Sequence, residues 1–265
     1  MAKNVLITGA SSGIGEATAK HLSKLGWHVF GASRRPLGEQ LSARSLTMDV
    51  RDSDSVRNAV AQFFDECGHM DALICNAGVG IFGATEEVSI ENAQSQFDTN
   101  YFGTLRVLRE VIPRMRQAKG GRILLVGSLA GRAPLPFQSH YSSSKAAIDA
   151  LSAALYTELA PFGVHVSLIE PGDISTPFND AVNWKAGHEQ SAYGEAIERC
   201  ETKNRQLLLK APRPEVAAHC IARALRAKRP RSRYTVGASS RLVPIARRIL
   251  PDRISLALIR RHYNL

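Results

Sequence analysis

The segment Gly9-Ala-Ser-Ser-Gly13-Ile-Gly15 constrains this chain more than any other stretch. It follows a short apolar run, Asn4-Val-Leu-Ile-Thr8, and leads into a helical pattern through Ala17, Ala19, Leu22 and Leu25. A second apolar run then occupies Trp27 to Ala32. Strand, glycine turn, helix and strand in that order make the βαβ unit that cradles a dinucleotide. Gly9 permits the tight turn, Gly13 lets backbone approach a pyrophosphate, and Gly15 lets the helix pack on the strand. The helix start offers unpaired N–H groups and a partial positive charge to the phosphates, with Ser11, Ser12 and Ile14 as further candidate contacts. The spacing is Gly-x-x-x-Gly-x-Gly rather than the commoner Gly-x-Gly-x-x-Gly.

At the end of the second apolar run stands Ser33-Arg34-Arg35. A carboxylate at that place would grip the ribose 2′-hydroxyl of NAD and repel a 2′-phosphate, whereas an arginine binds the phosphate bidentately. The expected cofactor is therefore NADP(H), held in part by Arg34. The plainer alternative is that both arginines only cap a solvent-exposed strand end.

Strand and helix patterns alternate along the rest of the chain. Strands are expected at 45–50, 71–75, 122–126, 164–169 and 233–236, with helices at 53–64, 90–117, 141–159 and 214–227. The stretch 90–117 reads as one long helix carrying the polar Asn100. This alternation implies an α/β fold, a Rossmann-like doubly wound parallel sheet flanked by helices on both faces. Ligands of such sheets bind at the carboxyl ends of the strands. The Gly9 loop, Asn76, Ser128 and Pro171 all fall at such ends. A single domain is expected, with residues 1–237 as the catalytic body and 238–265 as a basic amphipathic extension of it. Between Asp173 and Lys210 the periodicity weakens around Phe178, Trp184, Tyr193 and Leu207 to Leu209, which reads as a lid over the site.

The chemistry centres on Tyr141-Ser-Ser-Ser-Lys145. Residues four apart share a helix face, so a phenol and an ammonium would stand one turn apart. A neighbouring ammonium stabilises phenolate and brings a tyrosine towards the range of a general acid or base. Ser128, at the end of the preceding apolar run, places a hydroxyl nearby. Taken alone, Tyr-x-x-x-Lys is a common accident; its weight comes from the company it keeps.

With those residues in view, the chain resembles the short-chain dehydrogenase/reductase family from Val5 to about Gly237. The marks are Thr8 to Gly15, Asp49-Val50, Asn76-Ala77-Gly78, Asn100, Ser128, Tyr141-x-x-x-Lys145 and Pro171-Gly172 followed by Thr176. The resemblance implies that Tyr141 exchanges the proton, that Lys145 holds the nicotinamide ribose and lowers the tyrosine pKa, and that Ser128 bonds the substrate oxygen. It implies that Asn100 holds a water linking Lys145 to solvent. Asp49 and Val50 would touch the adenine, Asn76, Ala77 and Gly78 would line the cofactor cleft, and Pro171, Gly172, Ile174 and Thr176 would border the nicotinamide. Within the family, Arg34 and the ending Lys228 to Gly237 are similar to the 17β-hydroxysteroid and retinol dehydrogenase-like branch. Cys75 and Gly127 depart from the residues frequent at their places. The expected reaction interconverts a carbonyl and an alcohol on a hydrophobic substrate, a steroid, retinoid or lipid-like ketone. A 3-oxoacyl-type or broad-specificity carbonyl reductase, or a non-catalytic NADP-binding sensor, are the rival readings.

Composition adds limits. Cys67, Cys75, Cys200 and Cys220 form no Cys-x-x-Cys pair, which favours a reducing, cytoplasmic setting, and no metal site is expected. The N-terminus shows no signal peptide and no window is long enough to span a bilayer. From Lys210 onward 14 Lys or Arg face only Glu215 and Asp252, a net +12; the formal +10 of the chain thus leaves −2 for everything earlier. The segments Arg241 to Leu250 and Ile254 to Arg261 alternate apolar faces with arginines. Packing on the domain or on a second subunit is favoured, with peripheral contact to an anionic membrane as the alternative and no aromatic platform for nucleic acid. Homodimers or homotetramers through the helices at 90–117 and 141–160 are expected from the family resemblance.

Overall fold

The computed structural model describes residues 2–38, 41–180, 182–184, 191–237 and 242–265. In chain order it begins β1 (Asn4–Thr8), α1 (Gly13–Lys24), β2 (His28–Ser33), β3 (Arg44–Thr47), α2 (Ser53–Cys67), β4 (Ala72–Cys75) and β5 (Ile81–Phe82). There follow α3 (Ile90–Phe97), α4 (Gly103–Gln117), β6 (Gly121–Val126), α5 (Ser139–Glu158), β7 (Val164–Pro171), α6 (Pro177–Asp180) and β8 (Asn183–Trp184). The chain closes with α7 (Gly194–Leu209), α8 (Glu215–Arg226), β9 (Arg233–Val236), α9 (Leu242–Ile249) and α10 (Asp252–His262).

Seven strands form one parallel sheet in the order β3-β2-β1-β4-β6-β7-β9. The first crossover runs outward from β1 through β3, and the chain then returns past β1 to β4 and beyond. The order therefore reverses between β1 and β4, which opens a crevice at their carboxyl ends. β1 is buried along its whole length, because both sheet faces are covered. Leu6 points to one side among Phe30, Leu73, Leu125 and Val107. Val5 and Ile7 point to the other among Leu22, Ile74, Ile221 and Leu225. This period of two sorts a continuous apolar run into two cores, with α2, α4 and α5 on one face and α1 and α8 on the other.

Three expectations are corrected. The single helix over 90–117 is interrupted by a π-helical turn, Asp98–Phe102, with Asn100 at its centre. There Asn100 gains three side-chain hydrogen bonds to neighbouring segments, which a regular turn's register did not reveal in the sequence. The strand over 45–50 ends at Thr47. Met48 and Val50 stay buried, but Asp49 turns out to meet Arg51, and the backbone leaves the sheet. Within the lid region, α7 is a regular helix; its inward side buries only Ile197 and Cys200, too few positions for a clear period. Of the lid's apolar residues, Leu209 and Tyr193 face solvent, the latter with its ring edge against Phe137, while Phe178 packs against Tyr141. The side chain of Trp184, residues 185–190 and Arg241 lie outside the described residues.

Candidate active site

The glycine loop is built by close backbone approach. Gly9 and Gly13 hold φ of +66° and +57°, conformations that L side chains rarely adopt. A Cβ on Gly15 would lie 2.2 Å from the Gly9 carbonyl oxygen, and one on Gly9 would lie 2.8 Å from the Ala77 Cα. The turn, the start of α1 and the end of β4 are thus pressed together. Asn76 ties them: its side-chain amide donates to the Thr8 and Gly9 carbonyls at 3.1 and 3.0 Å. Its backbone N–H and that of Ala77 donate to the Thr8 hydroxyl at 3.0 and 3.2 Å. Thr8 is the hub of this knot, and its role was not legible because a buried strand-end threonine has no distinguishing pattern.

Ser12 caps α1 in an extended conformation, and its side chain makes no capping hydrogen bond. The first N–H groups of a twelve-residue helix therefore open beside Ser11 without a side-chain acceptor from Ser12. Ile14 leans into the core, so of the candidate contacts it presents backbone only. Thr176 reaches the same place: a Cβ on Gly13 would meet its Cβ at 3.2 Å. Pro171 and Ile174 are buried and Gly172 is half-buried at the end of β7.

Arg34 is exposed at the tip of β2. Asp49 is clasped by Arg51, Nε to Oδ1 at 3.0 Å and Nη2 to Oδ2 at 2.7 Å. That hydrogen bond, opposed by partial burial and aided by the fields of Arg51 and Arg34, holds the Asp49 carboxyl below its ordinary range. Val50 is buried against α4, where a Cβ on Gly103 would come within 2.7 Å of it.

At the carboxyl end of β6 the chain leaves through Ser128, whose Oγ accepts from the Ala130 N–H at 3.1 Å. The same hydroxyl favours the ionised form of the Tyr141 phenol. Tyr141 stands in the first turn of α5, its ring edge-on to Phe82 at 5.6 Å and tilted against Phe178 at 6.0 Å between centroids. Burial pushes its phenol up to about 12; Ser128 opposes that and the charge of Asp173 adds to it. Lys145, one turn on, is 6% exposed and donates to the Val126 carbonyl at 3.0 Å. Its Nζ lies 5.8 Å from the centre of the Tyr141 ring, and burial brings the amine down to about 8.

Asn100 completes the group. Its carbonyl accepts from the Val79 N–H at 2.8 Å, and its amide donates to the Val79 carbonyl at 3.1 Å and the Ser144 hydroxyl at 3.0 Å. Ser144 in turn donates to the Tyr141 carbonyl at 2.8 Å. A Cβ on Gly78 would lie 3.2 Å from Asn100 Oδ1 and 3.6 Å from Lys145 Nζ, so this glycine keeps open the space between them. The structure thus brings Ser128, Tyr141, Lys145, Asn100 and Gly78 into one cluster, with the glycine loop, Asn76 and Thr176 in a second across the crevice. Phe178 was expected in the lid, whereas Ser144 and Phe82 were not singled out; Ser144, one residue before Lys145, was the one with a readable spacing. Among the described residues no group of His, Cys, Asp and Glu could hold a metal ion.

A strand-end serine beside a tyrosine and lysine one helical turn apart, facing a glycine-rich helix start, is the arrangement of a nucleotide-dependent oxidoreductase. Residues 3–186 match the model for short chain dehydrogenase. The chain is a member of that family. It is 45% identical over 179 residues to a 3-ketodihydrosphingosine reductase of Bacteroides thetaiotaomicron, spanning 68% of this chain and 66% of that one. It is 34% identical over 281 residues to human 17-beta-hydroxysteroid dehydrogenase type 1, spanning 94% and 81%. A short-chain dehydrogenase from Streptomyces avermitilis superposes with a TM-score of 0.84 at 30% identity, covering 97% of this chain and 94% of that chain.

Proposed function

We propose that the protein is an NADP(H)-dependent oxidoreductase that interconverts a carbonyl and a secondary or primary alcohol on a hydrophobic substrate of steroid, retinoid or lipid-like character. The observation that carries this reading is the Ser128–Tyr141–Lys145 cluster walled by Phe82 and Phe178. The crevice residues fit a dinucleotide: an uncapped helix start, glycines that leave no room for side chains, and Arg34 at the tip of β2. The nicotinamide, when bound, supplies the hydride.

The chain's own residues handle binding and the proton. Ser128 orients the substrate oxygen, and Tyr141, protonated near neutrality, donates to the oxygen of a ketone or accepts from an alcohol. The Lys145 ammonium, held by Val126, supplies positive charge on the cofactor side of the tyrosine. Asn100 acts through its grip on Val79 and Ser144, and so positions α5. The aromatic pair excludes water from the phenol and favours flat or aliphatic apolar carbonyls. The relatives' names, a ketosphingoid reductase and a steroid dehydrogenase, support that substrate class.

The exposed Phe102, in the π-helical turn just before α4, and Tyr156 on α5 support pairing of copies through this face, which light scattering reads directly. Among the described residues no helix is long and apolar enough to cross a membrane. Four free cysteines support a reducing, cytoplasmic setting. The function is tested by following NADPH and NADH oxidation with steroids, retinals, aliphatic ketones and 3-keto lipids in parallel. Turnover of at least one apolar carbonyl with NADPH is expected; turnover confined to small polar carbonyls, or faster with NADH, overturns the reading.

A further inference from the structure

The last two helices are turned inside out relative to an ordinary surface helix. Among the described residues, seven of the fifteen large apolar side chains that face solvent lie between 242 and 258. On α9 the stripe Leu242, Ile245 and Ile249 points outward, at 68%, 54% and 73% exposure, while Ala246 and Arg247 face the body. On α10 Ile254, Leu256 and Leu258 are about half exposed, while Ser255 and, just past the helix end, Tyr263 are buried. Leu242, Ile245 and Ile249 share one face of α9, and Ile254 and Leu258 one face of α10; exposed apolar stripes of this kind mark an interaction site in a folded chain.

The inner side of the hairpin is well fastened, so the outward face is not the product of a loose end. Arg247 donates to the Arg132 carbonyl at 3.3 Å, in the loop that follows Ser128, and pairs with Asp252 at 2.9 Å. The Tyr263 hydroxyl donates to Asn204 on α7 at 3.1 Å. One helix therefore rests on the Ser128 loop and the other on the helix of the lid region.

The charge on the outer face decides what it fits. Arg248, Arg253, Arg260 and Arg261 are exposed around the apolar stripe. Asp252, the acid between them, is already engaged by Arg247. Two copies meeting through this face about a two-fold axis would set arginine clusters against each other, a like-charge contact with no acids to relieve it. A nucleic acid would neutralise the arginines but leave the isoleucines and leucines wet. An anionic bilayer surface satisfies both, with apolar side chains at the acyl boundary and arginines at the head groups.

We propose that α9 and α10 form an interfacial anchor that docks the protein on anionic lipid, with the Ser128 loop and α7 held against its inner side. The docking claim rests on this surface alone. Its purpose, delivery of a membrane-dissolved substrate to Tyr141, rests on the hydrophobic-substrate reading above.

The test is flotation of the full chain with phosphatidylcholine vesicles, with and without about 30% phosphatidylglycerol, read without any turnover. The full chain is expected to float at least about tenfold better with the anionic vesicles and to be released by salt. The double variant Ile245→Asp with Ile249→Asp should lose that binding, while NADPH oxidation with a water-soluble ketone stays within about twofold of the parent. Flotation indifferent to phosphatidylglycerol, or unchanged in the double variant, overturns the proposal. So does a dimer, seen by light scattering, that the same substitutions convert to monomer, since that assigns the face to a second copy. Loss of ketone turnover in the parent chain would instead count against the proposed reaction and leave the docking result standing.

Discussion

Burial moves Tyr141 and Lys145 in opposite directions, and the consequences differ for stability and for catalysis. Lys145 falls from 10.5 to about 8, so the folded protein disfavours an ammonium that the unfolded chain solvates freely. The penalty, about 3 kcal/mol, is fully present below the folded pKa and is relieved as pH rises from about 8 towards 10.5. Lys145→Met should therefore lose turnover yet melt no lower than the parent at pH 7, and any advantage should vanish by pH 10; thermal scans at both pH values check this. A second expectation concerns the tip of β2. On the proposed reading, Arg34→Ala should weaken NADPH binding about 10- to 100-fold with little change for NADH, because that reading assigns Arg34 to the 2′-phosphate alone. Fluorescence titration separates the two, and equal parental affinity for both cofactors would remove arginine selection from the account. Tyr141 and Lys145 were legible because their spacing follows from helix geometry, and Ser128 because it closes an apolar run. The Arg51 clasp on Asp49 was not, since it depends on a bend after Thr47 that no residue announces.

Elements meet the site through their ends. β7 delivers Pro171 and Gly172, and it is pinned there by a buried carboxylate: Glu170, fully buried, accepts from Arg233 on β9 at 2.6 Å and from Thr235 at 3.1 Å. Arg233 also bonds Asp149 on α5, joining β7, β9 and the helix that carries Tyr141 and Lys145. Arg233→Met leaves Glu170 buried with the more distant Arg132 at 3.8 Å, and should cost roughly 3 kcal/mol in a denaturant titration. A change below about 0.5 kcal/mol would show that solvent replaces the guanidinium. The strands of the sheet and helices α1, α2, α5 and α8 were readable because both faces of the sheet impose strong apolar patterns. The π-helical turn at Asn100 and helix α7 were not: the first shifts register within an otherwise regular pattern, and the second buries only one thin stripe.

At the scale of the molecule, the strand order gathers residues from distant parts of the chain at one edge. The Gly9 loop and Asn76 flank the reversal of the sheet, while Ser128, Tyr141 and Lys145 come from β6 and α5 next to it. That convergence was foreseeable once the alternation of strands and helices was read, because ligands of parallel sheets bind at the carboxyl ends. The orientation of the C-terminal hairpin was not, since an amphipathic pattern does not say which way its apolar side turns. Under the proposed function, Tyr141 passes the proton while other residues hold the cofactor. The most direct measurement is NADPH oxidation by Tyr141→Phe with whichever ketone the parent turns over, alongside NADPH binding by fluorescence. A kcat/KM lower by roughly 100- to 10,000-fold is expected, with cofactor affinity retained. Unchanged turnover in that variant would contradict the proposed function.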